Sequence, residues 1–263
     1  MMKFIQKIAL EAGDIVKKFY YSDSLKIENK AEKDLVTEAD KACEKFLVEK
    51  IIGEFPDHGF LGEEGFLNNE TKEYTWIIDP IDGTSNFAHR LPIFAISIGL
   101  QHKGEIILGI VYNPMSGEFF HTEKGKGAYM EIIGANGINM EPKRLKVSKE
   151  EKLSKSLLAT GFHPAYIESM KENFKYFEKL QLASHTVRRL GAASIDLAYV
   201  AAGYFEGYWE LKLKPWDLAA GTLLITEAGG ELTRIDGSAF SIYGENILAT
   251  NGRIHEEMLK YLR

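Results

Sequence analysis

The sequence predicts an α+β protein in which helices and sheets lie in layers, and three patterns support this fold class. Residues 2–20 place apolar side chains at helical spacing. Residues 93–129 follow a period near two, which is typical of antiparallel strands. The second half alternates strand-like and helix-like segments. Because no repeat or long linker divides the 263 residues, we expect one domain spanning residues 1–263, with a softer subdomain division near 140–155.

Two amphipathic helices and two short strands open the predicted fold. The first helix covers residues 2–20, and the second begins near Thr37, a residue type that suits the N-cap position. Short strands are predicted at 59–61 and 75–78. The second of these strands is expected to stop at Pro80, because proline cannot donate a hydrogen bond to a neighbouring strand.

The rest of the chain divides into a meander and an alternating part. Turns at His-Lys-Gly-Glu and Asn-Pro-Met-Ser-Gly separate the strands of the predicted antiparallel meander between 93 and 129. Further strands are predicted at 157–160, 204–210 and 247–250. Helices are predicted at 167–182, 192–202, 215–228 and 254–262, and the third of them has a proline near its start and Gly229-Gly230 at its end.

Composition excludes several classes of protein. The formal net charge is −6, so no overall positive field favours nucleic acid or an anionic membrane. Cys43 is the only cysteine, which excludes an intrachain disulfide and a cysteine-based zinc cluster. The amphipathic N-terminus lacks the pattern of a signal peptide, and no apolar run reaches the length of a membrane span. We therefore expect a soluble, cytoplasmic protein.

The segment WIIDPIDGTSNF, residues 76–87, ends a buried-strand pattern in two carboxylates, Asp79 and Asp82. Carboxylates are rarely buried without a partner. Gly83 permits a tight turn, and the following Thr84 and Ser85 are suited to opening a helix. The amides of these three residues would then form an anion site beside the two carboxylates.

A phosphate next to two carboxylates is repelled unless divalent cations lie between them. Mg²⁺ uses carboxylate and phosphate oxygens together, so the segment predicts a metal–phosphate site. The alternative is a solvent-exposed type I turn with aspartates at its corners.

Other acidic residues have two interpretations each. Glu63-Glu64 ends a strand-like run and could belong to the site or to a solvated edge. Asp217 begins an apolar helix beside Trp216, where it could simply complement the helix dipole. Asp40 lies three residues after Thr37 and could be a helix-capping acid.

Four motifs together resemble the inositol monophosphatase family. WIIDPIDGTSNF is similar to its first signature, and Trp216-Asp-Leu-Ala-Ala-Gly221 is similar to its second. Two further motifs match in the expected order, namely Lys30…Asp34-x-Val-Thr-x-x-Asp40 and Gly62-Glu-Glu64. The resemblance runs from the first helix to the C-terminus and implies a layered αβαβα sandwich, as in the sugar phosphatases that include fructose bisphosphatase.

The resemblance also implies roles for individual residues. One Mg²⁺ would be bound by Glu63, Asp79 and the Ile81 carbonyl, a second by Asp79, Asp82 and Asp217, and a third, weaker ion again by Glu63. Thr84, coupled to Asp40, would orient the attacking water together with Glu63. The phosphate would be held by amides of the segment from Asp82 through Gly83 and Thr84 to Ser85.

The resemblance also implies that the leaving alcohol lies against Gly191, Ala192, Ala193 and Glu210. Glu210 could equally be an exposed edge charge. Arg188 and Arg189 could pair with a second phosphate of the substrate or lie at a subunit interface, and Arg188 is the one that we expect among the substrate-binding residues.

The implied activity is Mg²⁺-dependent hydrolysis of inositol monophosphate, a small phosphomonoester, by metal-activated water. The alternatives are fructose-1,6-bisphosphatase activity, alone or alongside the first, and a role as a binding partner of the transcription machinery. The resemblance further implies a homodimer and sensitivity to lithium. Direct nucleic-acid binding and membrane binding are not expected.

Overall fold

The computed structural model describes residues 1–31, 34–65, 72–134 and 141–263, and its first layer is a pair of helices. Helix α1 is Met2–Tyr20 and helix α2 is Glu38–Glu54, as predicted. A hairpin of β1 (Ile27–Ala31) and β2 (Asp34–Thr37) joins them. The hairpin was not predicted because its strands carry mostly polar residues without a clean period of two. The side chains of Lys30 and Asp34 lie outside the described part of the chain.

The second layer is a seven-stranded sheet with the order β3-β4-β5-β6-β7-β8-β9. Strand β3 runs parallel to β4, and each later neighbour is antiparallel, which confirms the predicted meander. The strands are β3 (Gly59–Gly62), β4 (Tyr74–Asp82), β5 (Ala95–His102), β6 (Glu105–Tyr112), β7 (Glu118–Glu123), β8 (Gly127–Ile132) and β9 (Lys143–Arg144).

The prediction that a strand stops at Pro80 is wrong. Strand β4 continues to Asp82, and its register against β5 shifts between Asp79, opposite Ser97, and Asp82, opposite Ala95. The shift adds one residue to β4, as in a β-bulge. Proline is tolerated at a bulge because the position needs no donated hydrogen bond.

The second half of the chain forms a five-stranded sheet and four helices, and one further short helix follows β4. The sheet has the order β11-β10-β12-β14-β13, with β10 parallel to both of its neighbours and β14 antiparallel to both of its own. Its strands are β10 (Leu157–Thr160), β11 (Thr186–Arg188), β12 (Gly207–Leu211), β13 (Glu231–Thr233) and β14 (Asn246–Thr250). The helices are α3 (Thr84–Ala88), α4 (Ile167–Ala183), α5 (Ala193–Ala201), α6 (Pro215–Glu227) and α7 (His255–Leu262).

Three hydrophobic cores define the order of the layers. Ile78 and Ile98 of the large sheet pack with α1 and α2 in one core. Ile77, on the opposite face, packs with α5, α6 and Tyr208 of the small sheet. The other face of the small sheet, which includes Trp209, packs with α4 and α7. Since the side chains of a strand alternate between faces, the result is the αβαβα sandwich that the resemblance implies.

Within the described residues, we find no helix with the length and apolar character that a membrane span requires.

Candidate active site

The ends of several elements converge on one cavity of about 300 Å³. Strands β3 and β4 end there, and helices α3, α5 and α6 begin there. Most of the predicted site residues line this cavity, namely Glu63, Asp82, Gly83, Thr84, Ser85, Gly191, Ala192, Ala193, Glu210 and Asp217. Asp79, Ile81 and Asp40 are buried and are not among the residues that line the cavity.

Three aspartates form the centre of the site. Carboxylate oxygens of Asp79, Asp82 and Asp217 all lie within 4.8 Å of one another. In a regular strand, residues three apart point to opposite faces. The bulge in β4 changes this alternation, and Asp79 and Asp82 therefore meet. The alternative of an exposed turn is wrong, because these two residues are only 2% and 8% exposed.

The aspartates are electrostatically unfavourable without a cation. Burial raises the pKa of Asp79 well above its usual range, and the neighbouring Glu63, Asp82 and Asp217 carboxyls raise it further. Burial and the Asp82 carboxyl do the same to the pKa of Asp217. Glu63 lies within hydrogen-bonding distance of Asp79. A cluster of hard oxygen donors whose charges repel one another fits a divalent cation such as Mg²⁺.

Asp82 is held in place by the start of helix α5. Its Oδ1 accepts a hydrogen bond from the Ala193 amide at 3.2 Å, and its Oδ2 accepts from the Ser194 amide at 2.6 Å and the Ser194 hydroxyl at 2.5 Å. The side chain of the N-cap residue Ala192 makes no capping bond, so Asp82 satisfies the first amides of α5 from 111 residues away. Ser194 was not predicted, because nothing local marks it as a partner of Asp82.

Gly83 connects β4 to the short helix α3. Its φ of 94° lies in the left-handed region, and a side chain there would crowd the Ile93 carbonyl oxygen at 3.1 Å. Only glycine suits such a position. The sharp turn brings the Thr84 hydroxyl to 3.0 Å from the Ile81 carbonyl oxygen and 3.3 Å from Asp40 Oδ1.

Asp40 both caps helix α2 and contacts Thr84, the two arrangements considered from the sequence. Its Oδ2 accepts hydrogen bonds from the Thr37 amide at 2.8 Å and the Thr37 hydroxyl at 2.6 Å, which caps α2. Its Oδ1 faces Thr84. Burial raises the pKa of Asp40 to about 7, against the hydrogen bonds from Thr37.

Asp217 likewise caps its own helix and belongs to the cluster. Its Oδ2 accepts a hydrogen bond from the Lys214 amide at 2.7 Å, and Pro215 occupies the first position of α6, where no amide donor is needed. Local capping therefore sets the direction in which this carboxylate points.

Glu210 lines the same cavity as Thr84. It is 7% exposed, which shows that the interpretation as an exposed edge charge is wrong. The Tyr208 hydroxyl donates a hydrogen bond to Glu210 Oε2. Burial raises the pKa of Glu210 to about 7, although the Tyr208 hydroxyl and the Arg189 guanidinium act in the opposite direction.

The two adjacent arginines have different positions. Arg188 is not among the residues that line the cavity, and its guanidinium donates to the Thr186 hydroxyl at 2.9 Å and the Val187 carbonyl at 3.3 Å. Arg189 lines the cavity instead. The alternation of side chains along an extended segment separates the two, so Arg189 lines the cavity where Arg188 was expected.

Asp196, one turn into α5, is a further buried carboxylate that sequence reasoning missed. Neither of its oxygens has a hydrogen-bond partner among the described residues. Burial raises its pKa well above the usual range, and the carboxyls of Glu210 and Asp82 add to this effect. A charged residue inside the apolar segment ASIDLAYVA was the signal that could have identified it.

Comparisons with known proteins agree with this geometry. The profile described as "Inositol monophosphatase family" matches residues 1–263. The inositol-1-monophosphatase of Caulobacter vibrioides is 42% identical over 259 residues, covering 96% of this chain and 96% of that protein. The protein called Nus factor SuhB of Escherichia coli K12 is 37% identical over 265 residues, covering 100% of this chain and 96% of that protein.

Solved structures show the same similarity. The extragenic suppressor protein suhB from Bartonella henselae superimposes with a TM-score of 0.91 at 33% identity, covering 100% of this chain and 98% of that chain. The Thermotoga maritima IMPase superimposes with a TM-score of 0.87 at 32% identity, covering 99% of this chain and 96% of that chain.

Proposed function

Because this chain belongs to the inositol monophosphatase family, we propose that it is a Mg²⁺-dependent phosphatase that hydrolyses inositol monophosphate. One observation carries the proposal. The carboxylates of Asp79, Asp82 and Asp217 lie together, and two of them, Asp82 and Asp217, line a polar cavity that Glu210 also lines.

The proposed metal ligands come from three parts of the chain. Glu63, Asp79 and the Ile81 carbonyl would bind one ion. Asp79, Asp82 and Asp217 would bind a second. A third, more weakly bound ion would again be coordinated by Glu63. Bound Mg²⁺ supplies charge neutralisation for phosphoryl oxygens and lowers the pKa of a nearby water.

The protein's own groups would orient that water. The Thr84 hydroxyl, whose oxygen lies 3.3 Å from Asp40 Oδ1 and 3.0 Å from the Ile81 carbonyl oxygen, keeps lone pairs that can accept a hydrogen bond from water. Glu63 lies close to Asp79 and also lines the cavity. Thr84 and Glu63 would thus hold the water and the Glu63 carboxylate would accept its proton, while Asp40 keeps the Thr84 hydroxyl in place.

The substrate would lie across the cavity. Amides at the start of α3, from Gly83, Thr84 and Ser85, would donate to the phosphate. On the alcohol side, Glu210 would accept hydrogen bonds from hydroxyls, and the Gly191–Ala193 backbone would form the cavity wall. Arg189, rather than Arg188, is the arginine proposed to contact substrate, because it lines the cavity.

Phosphate release from a panel of phosphomonoesters, with Mg²⁺ and with a chelator, tests the proposal. Inositol 1-phosphate is expected to be hydrolysed only with Mg²⁺. Fructose 1,6-bisphosphate belongs in the panel, because Arg189 in the cavity favours a second candidate activity toward substrates with two phosphates. Absence of Mg²⁺-dependent release from every ester would contradict the enzymatic proposal.

Thr84→Val is expected to lower kcat for inositol 1-phosphate by about 100-fold, because it removes a group that orients the water while keeping the side-chain shape. KM should change little. Thr84→Ser, which keeps the hydroxyl, is the matched control and should retain most of the activity. Steady-state kinetics of both variants check the prediction, and wild-type turnover by Thr84→Val would exclude this role.

Glu210→Gln is expected to lower kcat/KM for inositol 1-phosphate by roughly 10-fold to 100-fold, because hydrogen bonds to a charged acceptor are worth more than those to an amide. p-Nitrophenyl phosphate lacks the hydroxyls that Glu210 would bind, so its hydrolysis should change much less. The ratio of the two effects is the measurement. Equal losses on both substrates would argue against a role in alcohol recognition.

Relatives named Nus factor SuhB favour a further candidate function, binding to the transcription machinery. Biolayer interferometry with purified RNA polymerase and Nus proteins from the same source tests it, and the Asp79→Asn variant separates binding from hydrolysis. Homodimer formation and lithium inhibition complete the proposal and rest on the family resemblance, and a cytoplasmic location is proposed with them.

A further inference from the structure

Glu44 is a fully buried carboxylate on α2 that no function described above uses. It lies beneath the turn that follows β3, where the chain passes from Gly62 through Glu63 to Glu64. Glu44 Oε2 accepts a hydrogen bond from the Glu64 amide at 3.0 Å. On the other side of the same turn, the Glu63 amide donates to the Ile78 carbonyl of β4 at 3.2 Å. The backbone on both sides of the Glu63 side chain is therefore held.

Gly62 makes the contact with Glu44 unusually close. A Cβ atom at Gly62 would lie 2.5 Å from Glu44 Oε2 and 2.7 Å from its Cδ. The Glu44 carboxylate thus occupies the space that a side chain at position 62 would need. Any larger residue at position 62 must displace either the carboxylate or the turn.

Helix geometry links this contact to the other water-orienting group. Asp40 and Glu44 are four residues apart on α2, so they lie on the same face of the helix. Asp40 faces the Thr84 hydroxyl, and Glu44 holds the turn that carries Glu63. One face of one helix therefore contacts both elements that would place the attacking water.

We propose that Glu44 is a positioning residue that fixes the Glu63 turn relative to Asp79 and Thr84, so that Glu63 can bind metal and orient water. The inference rests on the proposed function, because it assigns Glu44 a role toward Glu63. Glu63 follows a strand end on a turn with glycines at both ends, Gly62 and Gly65, and such a turn has no rigid element of its own to define its position.

Glu44→Ala tests the role with two measurements. We expect Mg²⁺ affinity, measured by isothermal titration calorimetry on the metal-free protein, and kcat for inositol 1-phosphate each to fall by about 10-fold to 100-fold, the usual range for residues that orient metal ligands. Glu44→Gln keeps the shape and an oxygen that accepts the Glu64 amide, so we expect it to stay within about 3-fold of wild type. Glu49→Ala, on the exposed face of the same helix, is the matched control and should change neither quantity.

A double-variant cycle tests the contact itself. Gly62→Ala alone should weaken Mg²⁺ binding, because its methyl group would displace the Glu44 carboxylate from its place against the turn. In Glu44→Ala/Gly62→Ala the space left by the carboxylate accommodates that methyl group, so the double variant should bind Mg²⁺ no more weakly than Glu44→Ala alone. Additive losses would overturn the proposal.

Two other outcomes would also overturn it. The first is wild-type Mg²⁺ affinity and turnover in Glu44→Ala. The second is an equal loss of Mg²⁺ affinity and kcat in Glu44→Gln and Glu44→Ala, accompanied by an equal drop in melting temperature. That result would show a purely structural role. If wild type hydrolyses no ester, the proposed function fails, whereas the calorimetric comparison still decides the inference.

Discussion

Asp79→Asn is expected to lower Mg²⁺-dependent hydrolysis of inositol 1-phosphate by at least about 1,000-fold, since metal ions supply several kcal/mol of charge stabilisation and each 1.36 kcal/mol is a factor of ten. Asp79 is the carboxylate shared by both proposed metal sites. The negative charges of Glu63, Asp82 and Asp217 lie close enough to raise its pKa. The substitution is nearly isosteric, and the oxygen of the new amide side chain can still accept the Ile81 amide, which lies 3.0 Å from Asp79 Oδ1.

The same variant should be more stable than wild type without metal. It removes one of several buried carboxyls that repel one another, so its melting temperature in chelator should rise. Mg²⁺ should then stabilise it much less than it stabilises wild type, because binding to the native state alone raises stability. Kinetics and thermal unfolding with and without Mg²⁺ measure both effects.

Asp23→Asn, at an exposed aspartate outside the site, is the control for the loss of one negative charge. It should behave as wild type in both assays. Retention of full turnover by Asp79→Asn, or a lower melting temperature in chelator, would contradict the assignment of Asp79 as a bridging metal ligand.

The metal-free protein is expected to lose stability as the pH rises from about 4 to above 7. The pKa values of Asp40 and Glu210 are raised from 3.8 and 4.5 to about 7. Between these limits the native state binds more protons than the unfolded state, so the free energy of unfolding falls with pH. At 1.36 kcal/mol per pKa unit, each group corresponds to about 3 to 4 kcal/mol.

Urea denaturation in chelator between pH 4 and pH 8 measures this loss. Glu210→Gln has no carboxyl to ionise at this position, so its stability should decline less across the same range, by about 3 kcal/mol. Added Mg²⁺ should restore stability at pH 7.5, because it offsets repulsion within the aspartate cluster. A stability that stays constant or rises between pH 4 and pH 7 would show that these carboxyls are not protonated in the native protein.

The element pattern was largely predictable because it depends on local periodicity. Helix α1 and the antiparallel meander follow from the spacing of apolar residues. Strands β11 and β13 were missed because three residues are too few to show a period. The bulge at Pro80 was missed because a proline normally ends a central strand, and only the pairing with β5 shows the extra residue.

Some site residues could likewise be proposed from the local sequence, whereas others could be identified only from the structure. Asp79, Asp82 and Glu63 could be proposed because each follows a strand-like run, and Asp217 because it opens an apolar helix. From the sequence we expected Arg188 to contact substrate, whereas in the structure Arg189 is the one of the two that lines the cavity. Glu44 resembled any other acidic residue of a surface helix until its contact with Gly62 was known.

Motifs and periodicity are local properties of the chain, and they were enough to indicate the family resemblance, the αβαβα order that it implies and most of the carboxylates of the site. Which side chains meet depends on the assembled fold. The bulge turns Asp82 toward Asp79, the start of α5 anchors Asp82 through Ser194, and α6 brings Asp217 from a distant part of the chain. These contacts depend on strand register and on packing between layers, because residues far apart in the chain are brought together only when the sheets and helices assemble.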